Sequence, residues 1–129
     1  MSIQRASCQG GSLEDHYGEA AAFENNPFIR SVGKRMLSLL PMLSDVCVDS
    51  DVWGLTSMYD LWLLPSDNPS VPWLVQVRAT HAWSGYQVRY KMAAPEAPGS
   101  GAFVEGMAPD EASACKLILI AMKRSGAWR

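Results

Sequence analysis

The sequence predicts a single α+β domain with an antiparallel sheet of four to five strands. Apolar residues recur at helical spacing near both ends of the chain, whereas apolar and polar residues alternate in its middle. The strand-like segments follow one another with short links, which favours antiparallel pairing. The chain has 129 residues, of which 48% are hydrophobic, so it can bury one domain-sized core. We therefore expect N-terminal helices and a C-terminal helix to pack on one face of the sheet.

The first part of the chain predicts a tail followed by a short helix. Residues 1–11 are mostly polar, which favours a flexible N-terminal tail ahead of a single domain at 12–129. Ser12 is followed three residues later by Asp15, a spacing that is typical of a helix N-cap. Apolar residues then continue at helical spacing, so a helix is predicted over 12–24.

A second helix is predicted to begin at Asn26 and Pro27. Asn is a good capping residue, and Pro fits the first turn of a helix. Pro41 is expected to end this helix or to tighten its last turn, because it lacks an N–H group. The apolar stripe consists of Phe28, Ile29, Val32, Met36, Leu39, Leu40 and Leu43.

Five strands are predicted in the middle of the chain. The clearest covers 85–92, where apolar and polar residues alternate at every step. Clusters of Pro, Gly, Ser and Asn separate several of the segments and are typical of turns. The five predicted segments are 46–52, 59–64, 73–80, 85–92 and 102–107.

The last segment predicts a helix with clear start and stop signals. Pro109 fits its first turn, and the acidic residues Asp110 and Glu111 are favourable beside the positive end of the helix dipole. Basic residues follow near the negative end, and Gly126 fits the position after the last turn.

The charge balance argues against nucleic acid as a partner. The chain has 11 basic and 13 acidic residues and a net charge of -2, whereas nucleic-acid-binding domains usually carry a strong basic excess. The charge is uneven, since residues 44–72 carry five Asp and no base, while 73–129 carry seven bases and four acids. Such an asymmetry is compatible with pairing between two copies of the chain. Solvated loops are the alternative interpretation.

The cysteines and the hydropathy pattern predict a cytoplasmic protein without membrane association. Cys8, Cys47 and Cys115 are odd in number and widely spaced, which is typical of reduced thiols. Two of them, Cys47 and Cys115, are expected to act as small core residues. The chain shows no apolar run of the secretory type near its start and no stretch of roughly 18 apolar residues.

Strand periodicity assigns the sheet residues to two faces. Alternate residues of a strand point to opposite sides, which places Val75 and Val88 on one face and Arg78 and Arg89 on the other. Aromatic, Arg and Gln side chains together are typical of interfaces and ligand clefts, although an ordinary solvated sheet face is the alternative. The second face also carries Trp62, Leu64, Leu74, Gln76, Gln87 and Lys91.

The leading interpretation is a small binding or interaction protein. It would form a homodimer through this open sheet face or bind a ligand on it. The two Arg side chains would pair with carboxylates, such as those of 44–72 in a second copy. No cofactor is expected. The predicted contact residues are Trp62, Leu74, Arg78, Arg89 and Trp83.

The alternative is a small enzyme or small-molecule-binding protein with a pocket near His81, Asp60 and Trp83. His81 follows the third predicted strand and could act as an acid or base, with Asp60 or Glu105 as its orienting partner. No Ser or Cys is placed by the sequence as a nucleophile for His81. We therefore expect binding rather than catalysis.

A near match to a calcium-binding loop occurs at 49–60. Asp49, Asp51, Gly54 and Asp60 have the spacing of ligand positions in such a loop. However, Trp53 stands where an oxygen ligand is required, and the following segment predicts a strand rather than a helix. We therefore expect no bound metal.

Overall fold

The structure is a computed structural model that describes residues 3–68, 70, 75–80, 85–92, 99 and 101–128. It contains three α-helices, six strands and a short 3-10 helix at Ser7–Gln9. The helices and strands, in chain order, are β1 (Ile3–Arg5), α1 (Leu13–Ala21), α2 (Pro27–Val46), β2 (Val52–Ser57), β3 (Asp60–Leu64), β4 (Val75–Ala79), β5 (Tyr86–Lys91), β6 (Phe103–Ala108) and α3 (Glu111–Ser125).

The predicted α+β class is confirmed, with one more strand than expected. The sheet has the order β1-β2-β3-β4-β5-β6. All neighbouring strands from β2 to β6 are antiparallel, and β1 pairs with β2 in parallel. The molecule is a single domain in which the helices cover one face of the sheet.

The N-terminal residues differ from the predicted flexible tail over 1–11. Ile3 pairs with Val52, and the Arg5 guanidinium donates from Nη2 to Thr56 Oγ1 over 2.9 Å. The amide of Gln9 also donates to the Thr56 carbonyl over 2.7 Å. A strand of three residues is too short to show an alternating pattern, so the sequence gives no signal for it. The strand forms through its pairing with β2, which is distant in sequence. Residues of this segment are therefore held against β2 by backbone pairing and side-chain hydrogen bonds.

The helix caps agree with the sequence. Ser12 Oγ accepts from the Asp15 N–H over 3.0 Å, and Asn26 Oδ1 accepts from the Phe28 N–H over 3.0 Å. Gly126 has a φ of 80°, which is the left-handed conformation that Gly adopts most easily at a helix C-terminus. These capping signals were readable because they depend only on local sequence.

The prediction that Pro41 ends or tightens α2 is wrong, because the helix continues to Val46. Pro41 lies on the exposed side of the helix, while Leu40 and Leu43 on the other side are buried in the core. The missing N–H of Pro41 costs one hydrogen bond, and the buried stripe keeps the helix together. The predicted strand over 46–52 consequently begins only at Val52.

The core lies between the helices and the covered face of the sheet. Leu61, Val77 and Val88 on this face are buried and belong to one cluster with buried residues of all three helices. The helix contributions to this cluster include Leu13, Tyr17, Met36, Leu39, Leu43, Cys115 and Ile118. Within the described residues, no helix is both long enough and apolar enough to cross a membrane.

Candidate functional site

The predicted division of the sheet residues into two faces is confirmed for Val75, Val88, Arg78 and Arg89, whereas Leu64, which was assigned to the exposed second face, is buried. Val75 and Val88 are buried beneath the helices, whereas Arg78 is exposed and Arg89 is partly exposed on the opposite face. Trp62 is half-buried on that second face, between Leu55 and Gln76 on the neighbouring strands. We refer to this second side of the sheet as the open face.

Asp60 and Arg78 form a two-point ion pair on the open face. Leu61 pairs with Val77, so Asp60 comes opposite Arg78 on the adjacent strand. Arg78 donates from Nε to Asp60 Oδ1 and from Nη2 to Asp60 Oδ2, each over 2.9 Å. These hydrogen bonds raise the pKa of Arg78 above its usual value.

The ion pair orients its members more than it stabilises the fold. The side chains of Arg78 and Asp60 remain 47% and 22% exposed, and pairs of this exposure contribute only about 0–1 kcal/mol. A two-point contact nevertheless fixes the plane of a guanidinium group. Asp60 therefore determines where Arg78 presents its remaining N–H groups.

Gln76 connects this pair to a second charged pair. Its side chain is buried, with Nε2 donating to Asp60 over 2.8 Å and Oε1 accepting from Arg89 Nη1 over 3.3 Å. Arg89 also lies 3.4 Å from Glu105 and 4.0 Å above the ring of Phe103. Buried amides require such partners, so Gln76 holds the polar side chains of β3, β4, β5 and β6 in one arrangement.

A cleft of about 620 Å³ opens beside the Asp60–Arg78 pair. We call it the Arg78 cleft. It lies where the ends of β3, β4 and β5 meet the first turns of α2 and the turn between β2 and β3. Among the described residues, its polar lining comprises Ser57, Asp60, Arg78, Thr80 and Gln87. The apolar lining among the same residues comprises Phe28, Val32, Met58, Tyr59, Ala79 and Met107.

Met58 lies at the rim of the Arg78 cleft in an unusual backbone conformation. Its φ is 55°, and it is the non-Gly residue with positive φ within the described part of the chain. Its side chain is 81% exposed. A left-handed non-Gly residue is strained, and such strain is concentrated at functional sites.

Comparison with the models of known families, with curated proteins and with solved structures finds no match for this chain.

The predicted site residues fall into three groups. Asp60 and Arg78 come together at the Arg78 cleft, while Trp62 and Arg89 lie elsewhere on the open face. The predictions for Leu74, His81 and Trp83 concern residues outside those that the structure describes.

Sequence reasoning missed the apolar wall of the Arg78 cleft. Phe28 was assigned to the core stripe of its helix, and Met58 and Met107 carried no signal of a site. Gln87 was assigned correctly to the open face, although not to the site. The wall is formed by residues distant in sequence, so no local spacing predicts it.

The near match to a calcium-binding loop does not form such a loop. Gly54 lies inside β2, and Asp60 is bonded to Arg78 and Gln76. Among the described residues, no group of three or more His, Cys, Asp or Glu side chains is arranged to hold a metal ion.

Proposed function

We propose that the protein binds a small amphipathic molecule in the Arg78 cleft. One end of the molecule carries an oxygen acceptor, such as a carboxylate or an amide carbonyl, which is held by Arg78. The other end is apolar and packs against the exposed side chains of the cleft wall. Of the two interpretations of the sequence, this proposal retains binding as the function from the first and a pocket near Asp60 as the location from the second.

The polar end of the cleft favours a hydrogen-bond acceptor. Both oxygens of Asp60 already accept hydrogen bonds, from Arg78 and Gln76. Arg78 uses Nε and Nη2 in this contact, and within the described residues its Nη1 is left without a hydrogen-bond partner. A guanidinium group has only donors to offer, so the complementary ligand group is an acceptor.

The apolar end of the cleft exposes large side chains to water. Met58 is 81%, Met107 is 54% and Phe28 is 38% exposed. Burying apolar surface is favourable by about 25 cal/mol per Å², and Met adapts its shape to different ligands. An apolar ligand part would therefore gain binding energy here without requiring a single fixed shape.

The observation that carries the proposal is the combination of these two ends in one cleft. A volume of about 620 Å³ lies within the usual range for small-molecule sites, about 300–1,000 Å³. An anchored charged group beside exposed apolar side chains is the composition that such sites share. An ordinary solvated sheet face requires neither the concavity nor the apolar wall.

The geometry favours binding over catalysis. A general base has to direct a lone pair at the substrate, and hydrogen bonds from Arg78 and Gln76 occupy three of the roughly four lone-pair sites of the Asp60 carboxylate. Asp60 therefore serves as a positioning residue for Arg78. The predicted role of His81 as an acid or base stays a prediction.

The test uses 8-anilinonaphthalene-1-sulfonate, a fluorescent probe with apolar rings and one acceptor group. We expect saturable binding of this probe to the folded protein. Arg78→Gln and Gln87→Leu should each weaken it by about fivefold or more, which corresponds to one hydrogen bond. Arg89→Gln is the matched control, because Arg89 belongs to the same polar network but does not line the cleft.

Urea denaturation of each variant verifies that the chains compared are folded. Amide NMR shifts on titration should be largest at Ser57, Met58 and Gln87. Equal weakening by Arg78→Gln and Arg89→Gln, or shifts centred on another surface, would overturn the proposal.

A further inference from the structure

The strand β6 forms an open edge of the sheet. It pairs with β5 on one side, and it is the last strand in the sheet order. The Met92 N–H donates to the Ala102 carbonyl over 2.9 Å, and hydrogen-bonded and non-hydrogen-bonded pairs alternate in an antiparallel ladder. The N–H and C=O groups of Phe103, Glu105 and Met107 therefore point away from β5. Within the described residues these outward groups have no backbone partner.

In the part of the chain that the structure describes, this edge lacks most of the features that usually prevent strand pairing, although Glu105 places one charge on it. Natural sheets protect their edges with short strands, charged side chains, Pro or bulges. β6 has six residues, none of them Pro or Lys, and its register with β5 runs without interruption. The opposite edge strand, β1, has only three residues.

Apolar side chains flank the edge on both faces of the sheet. On the open face, Phe103 and Met107 are 46% and 54% exposed. On the covered face, Val104 is exposed beside α3, where Ile120 is 47% exposed. Ile120 lies one helical turn after Leu117, whose side chain lies over Gly106. A partner strand that pairs with β6 would therefore bury apolar side chains on both faces of the sheet.

We infer that two copies of this chain pair through β6 to form a homodimer with one continuous sheet. A two-fold axis perpendicular to the sheet would make the two β6 strands antiparallel and the two α3 helices antiparallel as well. Asp110 and Glu111 precede or begin α3, and Lys123 and Arg124 lie in its last turn. The acidic N-terminal end of each α3 would then lie towards the basic C-terminal end of the other α3. This charge complementarity favours a second copy of the chain as the partner.

The side chains also select the register of this pairing. Residues that lie opposite each other in an antiparallel pair point to the same face of the sheet. The two-fold axis therefore passes between two copies of the same β6 residue, which lie directly opposite each other. An axis at Glu105 would place two like charges opposite each other, which is destabilising. An axis at Gly106 places Glu105 opposite Met107 of the second copy, and the two exchange backbone hydrogen bonds. The absence of a side chain at Gly106 permits close approach on the axis.

This surface differs from the open face on which the sequence predicted a homodimer. Arg78 pairs with Asp60 of its own chain, and Asp60 is one of the carboxylates of 44–72. A second copy is therefore not needed to neutralise Arg78. Met107 belongs to both surfaces, because it lines the Arg78 cleft and lies in β6. The other cleft residues lie outside β6, so Arg78→Gln tests ligand binding and Glu105→Pro tests dimerisation.

The test is the mass of the full chain in solution, by sedimentation or light scattering at high micromolar concentration. We expect twice 14.1 kDa for the natural sequence. Glu105→Pro removes an N–H that points outward, which leaves the β5 pairing intact, and should give a folded monomer. Glu105→Ala is the matched control and should remain a dimer, because it loses the carboxylate but keeps the N–H group.

A second variant tests the register and does not depend on whether Glu105→Pro folds. Gly106→Cys in a Cys8→Ser background should give a disulfide-linked dimer under mild oxidation, because residues at the axis in a non-hydrogen-bonded pair lie within disulfide distance. A monomeric natural sequence at high micromolar concentration would overturn the inference. A dimer that survives Glu105→Pro, or the absence of the Gly106→Cys crosslink, would also do so.

Discussion

The imidazole Nε2 of His16 lies 2.7 Å from the carbonyl oxygen of Met58. A carbonyl can only accept, so Nε2 carries the proton in this contact. The next residue of α1, Tyr17, donates from its hydroxyl to the Tyr59 carbonyl over 3.1 Å. Two consecutive side chains of α1 thus bind the two carbonyl groups of the turn between β2 and β3. One of these carbonyls belongs to Met58, the strained residue at the rim of the Arg78 cleft.

Replacing Met58 by Gly is expected to raise the free energy of unfolding by about 1 kcal/mol. The left-handed conformation costs an L-residue roughly 1–2 kcal/mol, and Gly adopts it freely, although Gly loses more entropy on folding. The measurement is urea denaturation. Met58→Ala is the matched control, because it shortens the same exposed side chain and keeps the strain. If the Gly variant is no more stable than the Ala variant, the strain interpretation is wrong.

The same two variants separate stability from binding. Both remove the Met58 side chain from the wall of the Arg78 cleft, so both should bind the anilinonaphthalene probe more weakly than the natural sequence does. The Gly variant would then be more stable but weaker in binding, a trade-off that is common at functional sites. Unchanged probe affinity in both variants would remove Met58 from the proposed site.

Replacing Gly33 by Ala is expected to destabilise the protein by about 3 kcal/mol or more. A Cβ atom at Gly33 would clash with the backbone nitrogen of Ala21 and would lie 2.7 Å from the carbonyl oxygen of Tyr17. Because these contacts are with backbone, relief requires α1 and α2 to move apart. The measurement is the free energy of unfolding in urea.

Gly18→Ala provides the control for the Gly33 variant. Gly18 lies within α1, and a Cβ atom there would meet nothing within 4 Å. Ala is favoured over Gly in a helix by about 0.5–1 kcal/mol, so this variant should be more stable than the natural sequence. Opposite signs for the two substitutions would show that close helix approach, and not helix propensity, determines the need for Gly33.

The parts of the fold that depend on local sequence could be predicted. Ser12, Asn26 and Gly126 indicated helix ends because a cap uses residues within one turn. Strand alternation placed Arg78 and Arg89 on one face because the side-chain period of a strand is two. Both kinds of signal are independent of how distant segments meet.

The remaining features depend on contacts that no local pattern contains. β1 depends on pairing with β2, and the continuation of α2 through Pro41 depends on its buried side. Alternation places Asp60 and Arg78 on the same face, but their direct contact depends on the register between β3 and β4. The Arg78 cleft combines parts of α2 with strand ends, so its shape followed only from the structure.

Replacing Asp110 by Asn should remove part of the pH dependence of stability. Asp110 Oδ1 accepts from the Ser113 N–H over 2.8 Å, and this backbone hydrogen bond lowers the pKa of the Asp110 carboxyl below 3.8. The carboxylate therefore stabilises the folded state above the unfolded pKa, and this contribution is lost as the pH falls through the folded pKa. Asn caps the helix without titrating.

The measurement for Asp110 is the free energy of unfolding from about pH 5 to about pH 2. The natural sequence should lose stability more steeply than Asp110→Asn over this range. Asp110→Ala serves as the control, since it should be less stable than Asp110→Asn at every pH. Parallel pH curves for the natural and Asn chains would contradict the capping role of the ionised carboxyl.

The cysteines are expected to differ sharply in reactivity towards a thiol reagent such as dithionitrobenzoate. Burial raises the pKa of Cys47 and of Cys115 to about 11, whereas Cys8 is exposed. Because the thiolate is the reactive form, the folded chain should react rapidly at one thiol at pH 8, and the denatured chain at all three. Cys8→Ser should abolish the rapid phase in the folded state. A second rapidly reacting thiol would mean that α2 or α3 opens readily from the sheet, because the two buried thiols become accessible only through such an opening.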